Sequence, residues 1–236
     1  MAGQYPRILD QETRPMNRSD WLRQVRRTAE ERMDTLFAAI YDDNWGATIE
    51  PSHQRMMSRF LSLCPPRGAI LDAACGTGKY WPTLLAGGRT VLGVDQSQGV
   101  LDRARAKFPD VPTENVGLQE LGYGEAFDAA ICMDALENVC PEGWPLVLTN
   151  LHRALKPAGC LYFTVELAEQ QEVEAAFAAG RQRGLPLVAG EWVLLEGGYH
   201  YYPRIEQVRE WARLAQFRPV EETIGDFYHH FLVRKD

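Results

Sequence analysis

The residues best suited to hold a ligand lie between Ile70 and Leu84, in the stretch ILDAACGTGKYWPTL. Two apolar residues precede Asp72, small residues then occupy positions 73, 74, 76 and 78, and a helix-forming run follows. Small side chains let the backbone approach a ligand closely, and glycine permits positive φ angles. In an open α/β sheet, ligands bind outside the carboxyl ends of the strands, where such a turn would lie. The stretch therefore predicts a ligand-binding turn beside a carboxylate.

Two common phosphate-binding loops do not fit this stretch. A phosphate loop, G-x-x-x-x-G-K-[ST], needs glycine where Ala73 stands and a hydroxyl for magnesium where Tyr80 stands. A dinucleotide loop, G-x-G-x-x-G/A, needs a small residue where Trp81 stands, and Asp72 would bring negative charge near the pyrophosphate. A cationic ligand with an amino-acid tail tolerates that carboxylate, so a third class of cofactor fits better.

The sequence ILDAACGTGKY resembles the first motif of the class I S-adenosylmethionine (SAM) methyltransferases, [VIL]-[LV]-[DE]-x-G-x-G-x-G, with Ala74 at the first glycine position. The resemblance continues through VLGVDQSQGVLDRARAKFP, NVGLQELGYGEAFDAAICMDALENV and LHRALKPAGCLYF, and covers about residues 68–165. It implies a Rossmann-like fold, SAM as the cofactor, S-adenosylhomocysteine (SAH) as the product, and a methyltransferase of the EC 2.1.1 class.

The resemblance also implies which residues contact the cofactor. Asp95 ends the second strand and is implied to bind both ribose hydroxyls, because one carboxylate offers two acceptor oxygens. Its alternative role is to cap the next helix, which Ser97 can do instead. The adenine amine would meet Gln119 or backbone groups. The expected cofactor contacts are Asp72, Ala73, Ala74, Cys75, Gly76, Gly78, Asp95, Gln96, Gln119 and Met133.

Methyl transfer is an in-line displacement, so the enzyme mainly positions the acceptor, and a base is needed only if the acceptor must lose a proton. The loop GGYHYYP, residues 197–203, combines three tyrosines with His200, the first candidate base. In an extended segment Tyr199 and Tyr201 would share one face, as a substrate wall or as ordinary packing. His53 and Glu166 are further catalytic candidates. The expected substrate contacts are Tyr41, Trp45, Glu137, Tyr199 and Tyr201.

Several absences narrow the chemistry. The [DN]-P-P-[YFW] motif for nucleobase amines is missing after the fourth strand, and the net charge of −7 offers no basic field for nucleic acid. Metal-dependent catechol methyltransferases have an Asp-Asn pair where Val165 and Glu166 stand, so no magnesium is expected. The five cysteines contain no C-x-x-C pair, which favours a reducing cytoplasm. The sequence has neither a signal-like N-terminal run nor a stretch long enough to span a membrane.

Short apolar runs alternate with helix-forming stretches from residue 69 onward. The apolar runs are 69–74, 90–95, 127–134 and 160–166, with 111–118 as a weaker candidate, and the helical stretches are 79–86, 97–107 and 143–155. Near-continuous apolar strands separated by helices indicate a parallel sheet covered on both faces. The predicted fold class is α/β, a Rossmann-like doubly wound, mostly parallel sheet with helices on both faces and an antiparallel C-terminal strand.

The segments on either side are predicted to cover this sheet. Apolar residues recur every three or four positions at Trp21, Val25, Ala29, Met33, Leu36 and Ile40, which predicts one long amphipathic helix. A helix at 170–183, a helix opened by Pro203 and a strand in DFYHHFLVRK are expected later in the chain. The predicted organisation is a flexible segment (1–18), a helical cap or lid (19–64), a SAM-binding core (65–166), and a C-terminal part of the same domain with a substrate-side insert (167–236).

The sequence thus predicts a cytoplasmic SAM-dependent methyltransferase for a small metabolite that is aromatic or contains an amine. Analogy favours the tailoring of a natural product as its setting. Two alternatives stay open: carboxylate or phenol O-methylation in primary metabolism, and SAM binding without catalysis. The expected partner is a small-molecule acceptor, with no nucleic acid and no membrane, and the expected state is a monomer or homodimer.

Overall fold

A seven-stranded sheet forms the centre of the computed structural model, which describes residues 17–46, 49–194 and 198–236. Its strands are β1 (Ala69–Ala73), β2 (Thr90–Asp95), β3 (Thr113–Asn115), β4 (Phe127–Cys132), β5 (Leu155–Glu166), β8 (Phe217–Ile224) and β9 (Tyr228–Lys235). They lie in the order β3-β2-β1-β4-β5-β9-β8. The first five are parallel, β9 is antiparallel to β5, and β8 is antiparallel to β9. The predicted fold class is confirmed.

Seven α-helices accompany the strands in the described part of the chain. They are α1 (Arg18–Arg32), α2 (Pro51–Leu63), α3 (Trp81–Leu84), α4 (Gln98–Lys107), α5 (Trp144–Ala154), α6 (Gln170–Gln182) and α7 (Ile205–Leu214). A separate two-stranded antiparallel sheet is formed by β6 (Glu191–Val193) and β7 (Tyr199–Tyr201). Within the described ranges, no helix is both long enough and apolar enough to cross a membrane.

Alternate residues of the central strands face two separate apolar layers. In β1, Ile70 packs with α2, α3 and α4, whereas Leu71 packs with α5, α7 and Trp21 of α1. Side chains of a strand point alternately to opposite faces, so a sheet with helices on both sides must be apolar on both. This explains the near-continuous apolar runs in the sequence, and it leaves the carboxyl ends of the strands as the place for polar chemistry.

The prediction of one continuous amphipathic helix from Trp21 to Ile40 is wrong beyond Arg32. The chain continues as a π-helix, Met33–Phe37, a 3-10 turn, Ala38–Ile40, and a second π-helix, Asp42–Gly46. A π-helical turn contains more residues than an α-helical turn, so it rotates the apolar face away from the sheet. Trp21 is buried, but Leu36 and Ile40 are exposed. The predicted flexible segment falls almost entirely on residues 1–16, outside the described residues.

Three predicted elements need correction, two of them in the C-terminal part. The chain ends in two antiparallel strands rather than one, because β8 pairs with β9 through a register shift between Pro219 and Glu221. The helix after the GGYHYYP loop begins at Ile205, two residues after Pro203. The helix predicted at 79–86 is reduced to the single turn of α3.

Candidate functional site

Two adjoining cavities lie over the carboxyl ends of β1, β2, β4 and β5, with volumes of about 740 and 440 Å³. Both are roofed by the segment from α1 to Tyr41. Residues from the roof, the glycine turn and the ends of the strands belong to both cavities, and they are Ala29, Met33, Tyr41, Ala74, Asp134, Asn138 and Tyr199. The two cavities therefore meet along a common boundary, and ligands placed in them would touch there.

Asp95 stands at the mouth of the smaller cavity. Its Oδ2 accepts a hydrogen bond from the Gly76 N–H at 3.0 Å, and its Oδ1 accepts one from the Ser97 N–H at 2.9 Å. Burial raises the pKa of this carboxyl, and the two N–H donors oppose that rise. Each oxygen has a second lone pair for a ligand. Ser97 itself caps α4 by accepting from Val100, so capping does not need Asp95.

The glycine turn brings backbone close to both cavities. Gly76 has a φ of +53°, and a Cβ there would meet the Tyr41 hydroxyl at 2.7 Å. Ala74 adopts a φ of +62°, a region that glycine usually occupies, which explains why so small a side chain stands at this position. Ala74, Cys75 and Met133 line the larger cavity, while Gly76, Gln96 and Gln119 line the smaller one.

Trp81 explains two other residues of the turn. Its indole Nε1 donates to Asp72 Oδ2 at 2.8 Å, and burial raises the pKa of this carboxyl to about 7. A Cβ on Gly78, whose φ is +79°, would meet the indole ring at 2.6 Å, and one on Gly93 would meet it at 2.4 Å. The glycines thus make room for the ring. Ala73 and Gly78 were both expected to contact a cofactor, but neither is among the described residues that line the two cavities.

A hydrogen-bonded network centred on Asp134 lies on the wall of the larger cavity. Asp134 Oδ1 is 3.0 Å from His53 Nε2, and Oδ2 accepts from the Tyr80 hydroxyl at 2.9 Å. Thr164 Oγ1 donates to Oδ1 at 3.1 Å and accepts from the Asp134 N–H at 2.7 Å. Burial opposes ionisation of Asp134, but the bonds from His53 and Tyr80 outweigh it and lower the pKa. Asp134 is therefore an ionised acceptor that holds His53 in place.

A second basic group enters the same cavity from β7. His200 Nδ1 lies 2.9 Å from Glu166 Oε2 and 3.0 Å from the Tyr202 hydroxyl. The expected alternation along 199–201 is present, since Tyr199 and Tyr201 are buried on the other face. Tyr199 reaches both cavities, but Tyr201 packs against Trp211 and lies outside them, which corrects the expectation that Tyr201 contacts a substrate.

Glu137 is a buried acidic group of the site whose hydrogen bonding is incomplete. It follows β4, is 6% exposed, and lines the larger cavity. Its Oε1 accepts from Asn138 Nδ2 at 3.4 Å, and its Oε2 has no hydrogen-bond partner among the described residues. Burial, together with the charges of Glu166 and Asp134, raises the pKa of Glu137 to about 8. A carboxyl in this state is available to a ligand.

The roof is held by a cluster of charged groups around Arg18. Its guanidinium makes two hydrogen bonds to the fully buried carboxylate of Glu191, at 2.7 and 2.8 Å, and two to Glu142, at 2.5 and 2.9 Å. Glu191 also accepts from the Tyr199 hydroxyl at 2.6 Å. The start of α1 is therefore fastened to the β6–β7 hairpin. The side chain of Trp45, an expected substrate contact, lies outside the described residues.

Sequence reasoning missed part of the larger cavity. In the sequence, Tyr80 is informative only because it stands where a phosphate loop needs Ser or Thr, and no pattern marks Tyr228 as a ligand contact. His230 is buried, with Nδ1 2.9 Å from the Tyr162 hydroxyl and its ring 4.7 Å from that of His53. The signal available was the position of these residues at the ends of strands or turns, but their partners are far away in sequence.

The glycine turn and the core of the sheet match a known family model. Residues 70–159 match the model described as a methyltransferase domain. Among curated proteins, an uncharacterized methyltransferase of Synechocystis is 33% identical over 95 residues, which cover 40% of this chain and 45% of that protein. A ubiquinone biosynthesis O-methyltransferase of Coxiella burnetii is 28% identical over 170 residues, or 68% of this chain and 67% of that protein. The first of these matches spans about half the length of the relative.

The whole architecture also occurs in solved structures. The 1,6-didemethyltoxoflavin-N1-methyltransferase of Burkholderia thailandensis, solved with 1,6-didemethyltoxoflavin and SAH bound, superposes with a TM-score of 0.68. The two chains are 18% identical, and the match covers 94% of this chain and 92% of that one. At this identity the likeness shows a shared fold.

Proposed function

Because residues 70–159 belong to the methyltransferase-domain family, we propose that this chain transfers a methyl group from SAM to a small-molecule acceptor. The observation that carries the proposal is the pair of cavities that share one boundary above the strand ends. One cavity has the groups for a nucleoside and the other has the groups for an acceptor. A boundary between them is what a direct transfer between two bound ligands requires.

The smaller cavity fits the nucleoside part of SAM. The Asp95 oxygens each keep one lone pair for a ribose hydroxyl, and the absence of a side chain on Gly76 lets the backbone come close. Leu118, Val139 and Gly143 supply apolar walls for a flat base, and Gln119 supplies polar atoms at the edge. When bound, SAM supplies an electrophilic methyl group on a sulfonium.

The residues at the boundary position the acceptor. Tyr41 and Tyr199 contribute to both cavities, and Asp134 holds the polar network between them. Placing a nucleophile about 3 Å from the methyl carbon supplies much of the rate enhancement that such a transfer needs. The residues common to both cavities include Met33, Tyr41 and Tyr199, whose side chains would pack against the two ligands where they meet.

Two histidines are placed to take a proton from the acceptor. His53 is held through Nε2 by Asp134, and His200 is held through Nδ1 near Glu166. A carboxylate beside an imidazole fixes its orientation and stabilises the imidazolium after it accepts a proton. We assign the role of base to one of these two, with Glu166 as the partner of His200.

The volume and lining of the larger cavity support a small acceptor. A cavity of about 740 Å³ suits a metabolite, and the rings of Tyr41, Tyr80, Tyr199 and Tyr228 would line an aromatic one. The net charge of −7 supports a small molecule over a nucleic acid. The sequence-based expectation of an aromatic or amine-containing acceptor is retained, with O-methylation of a carboxylate or phenol as the alternative.

Calorimetry and a turnover assay would test this proposal. We expect SAH to bind with micromolar affinity while NAD and ATP show no heat at the same concentrations. A panel of aromatic amines, phenols and carboxylic acids, incubated with SAM, should yield SAH and a product that is heavier by one methylene for at least one class. If SAH bound without any product from the panel, a SAM-binding protein would be supported instead. If SAH did not bind, the proposal would be wrong.

A further inference from the structure

We infer that the larger cavity recognises its acceptor through a protonated amine, held by the carboxylates of Glu137 and Glu166. The inference rests on the proposed function and narrows its acceptor to one chemical class. Recognition and methylation are separate matters here, since a protonated nitrogen has no lone pair with which to attack a methyl group. The claim concerns the group that anchors the acceptor.

The first observation is the state of Glu137. Its side chain is 6% exposed, it lines the cavity, and its Oε2 lacks a hydrogen-bond partner within the described residues. A buried carboxylate without a partner is costly, and folded proteins usually supply a donor or a counter-charge. The 3.4 Å contact with Asn138 is too long to provide this. The missing donor is therefore expected from a ligand.

The second observation is that Glu166 converges on the same space. Glu137 follows β4 and Glu166 ends β5, and these strands are neighbours in the sheet. Both carboxyls line the larger cavity, and the charge of Glu166 acts on Glu137. Two ionised carboxylates that line one cavity repel each other, and in the absence of a ligand the raised pKa of Glu137 relieves this by keeping it protonated. A cation between them would let both carboxyls ionise. An ammonium group, with three N–H donors, would satisfy both carboxylates and leave one donor for another acceptor.

The balance of charge in the cavity points the same way. The acids among its described lining residues are Asp43, Glu50, Asp72, Asp134, Glu137 and Glu166. Two cations face them, Arg32 and Lys79, and the Lys79 ammonium lies 5.5 Å from the centre of the Tyr80 ring. Even with Asp72 and Glu137 protonated, the other four acids outnumber the two cations. A field of this sign attracts a cationic ligand and repels a carboxylate or phosphate. It therefore counts against the carboxylic acid acceptors that the sequence left open.

Binding of matched ligands to the SAH-saturated protein would test the inference. The probes are phenethylamine, 2-phenylethanol and phenylacetate, together with tryptamine, tryptophol and indole-3-acetate, each titrated by calorimetry or ligand-observed NMR. In at least one trio we expect the amine to bind ten times more tightly than the alcohol, and the acid not to bind. Equal or tighter binding of the alcohol or acid, or no binding of either amine at 10 mM, would overturn the inference.

Variants of the two carboxylates test whether these groups cause the preference for amines. Glu137→Gln and Glu166→Gln, each isosteric, should weaken amine binding at least tenfold and leave alcohol binding within twofold. Asp43→Asn is the matched control, because Asp43 is an exposed carboxylate that lines the same cavity, and its loss should change amine affinity less than threefold. Equal effects of all three would mean a diffuse field rather than a site. If Glu137→Gln did not fold, Glu166→Gln would decide alone.

The same samples separate this inference from the proposed function. Loss of SAH binding by the unmodified protein would overturn the proposed function. Normal SAH binding without any preference for amines would overturn only the amine site.

Discussion

His53 and Asp134 are 81 positions apart in sequence, yet His53 Nε2 lies 3.0 Å from Asp134 Oδ1. The low pKa of Asp134 keeps its carboxylate ionised, so it can only accept, and His53 Nε2 must donate. Neutral His53 then carries its lone pair on Nδ1. That atom is buried, has no hydrogen-bond partner in the described part of the structure, and lies 3.7 Å from Glu50 Oε2. The arrangement leaves a proton-accepting atom beside the larger cavity.

Replacing His53 should therefore slow methyl transfer. With an acceptor found in the panel, His53→Gln should lower kcat/KM by about 10²–10⁴-fold, the range for loss of a general base. SAH affinity should stay within twofold. His152→Gln, on the outer side of α5 against Phe217, is the control and should leave kcat/KM unchanged. Full activity of His53→Gln would exclude it as the base.

His200 is the rival base and needs its own variant. If His53 is the base, His200→Ala should lower kcat/KM only a few-fold, through lost contact with the acceptor. A loss of about 10²-fold or more would instead assign the base to His200 and its neighbour Glu166. Steady-state rates of the His53 and His200 variants, compared at one pH, distinguish the two outcomes.

Replacing Asp95 should weaken binding of the cofactor. Asp95→Ala removes the carboxylate oxygens that accept from Gly76 and Ser97 and that are free to bind ribose hydroxyls. Losing charge-assisted hydrogen bonds of this kind costs about 2 kcal/mol, or roughly 30-fold in SAH affinity. Asp102→Ala provides the comparison, since Asp102 is exposed on α4 and pairs with Arg105. Unchanged SAH binding by Asp95→Ala, measured by calorimetry, would remove Asp95 from the ribose site.

The anchor at Arg18 should contribute strongly to stability. Arg18→Ala leaves the fully buried Glu191 carboxylate without its counter-charge, which costs about 3 kcal/mol when a buried pair is broken. Urea unfolding would measure this, and limited proteolysis should cut within residues 17–46 first. Arg23→Ala removes an exposed pair with Asp20 and should cost less than about 1 kcal/mol. Similar losses in both variants would contradict the role given to the Arg18–Glu191 pair.

Glu137 should make the folded state sensitive to pH. Its pKa is raised to about 8, so between the pKa of the unfolded chain, near 4.3, and pH 8 the folded state holds a proton that the unfolded state has lost. Stability that is present below about pH 4 is thus lost as pH rises, by at most about 1.4 kcal/mol per pH unit.

Glu137→Gln abolishes this loss. Between pH 5.5 and 8, the free energy of unfolding of the unmodified protein should fall by at least about 1.4 kcal/mol more than that of the variant. Glu172→Gln, at an exposed position of α6, should follow the unmodified protein. Parallel curves for Glu137→Gln and the unmodified protein would show that Glu137 is already ionised when folded.

The cofactor side of the site is largely readable from sequence because its parts are local. The turn from Asp72 to Gly78 follows a strand and precedes a helix, and Asp95 ends the next strand, so their order along the chain, together with the family resemblance, is enough to bring them together. The sequence interprets Trp81 only as an obstacle to a dinucleotide loop and does not show where its ring packs. Its ring is accommodated by Gly78 and Gly93, and the second glycine lies on a neighbouring strand that the turn motif does not include.

The acceptor side was only partly predictable, because its contacts join distant segments. His53, Glu137, Glu166 and His200 were each identified by type, but sequence does not say that His53 meets Asp134 or that His200 meets Glu166. Tyr201 has the same pattern as Tyr199 and goes to the core against Trp211. The π-helical turn after Arg32 has no simple sequence signal, so a periodicity of 3.6 placed Leu36 and Ile40 wrongly.

The pairing of Arg18 with Glu191 joins segments 173 positions apart and thereby couples two walls of the site. Glu191 lies on β6, which pairs with the strand that carries His200. A movement of the roof would therefore also move the wall of the cavity formed by β7. If the roof moves to admit a ligand, we expect His200 to move with it. The wall that carries His200 would then be complete only around an enclosed ligand. Under the proposed function, a movement of the roof that admits a ligand would therefore also move one wall of the acceptor cavity, and because Glu191 is fully buried, salt should change this coupling little.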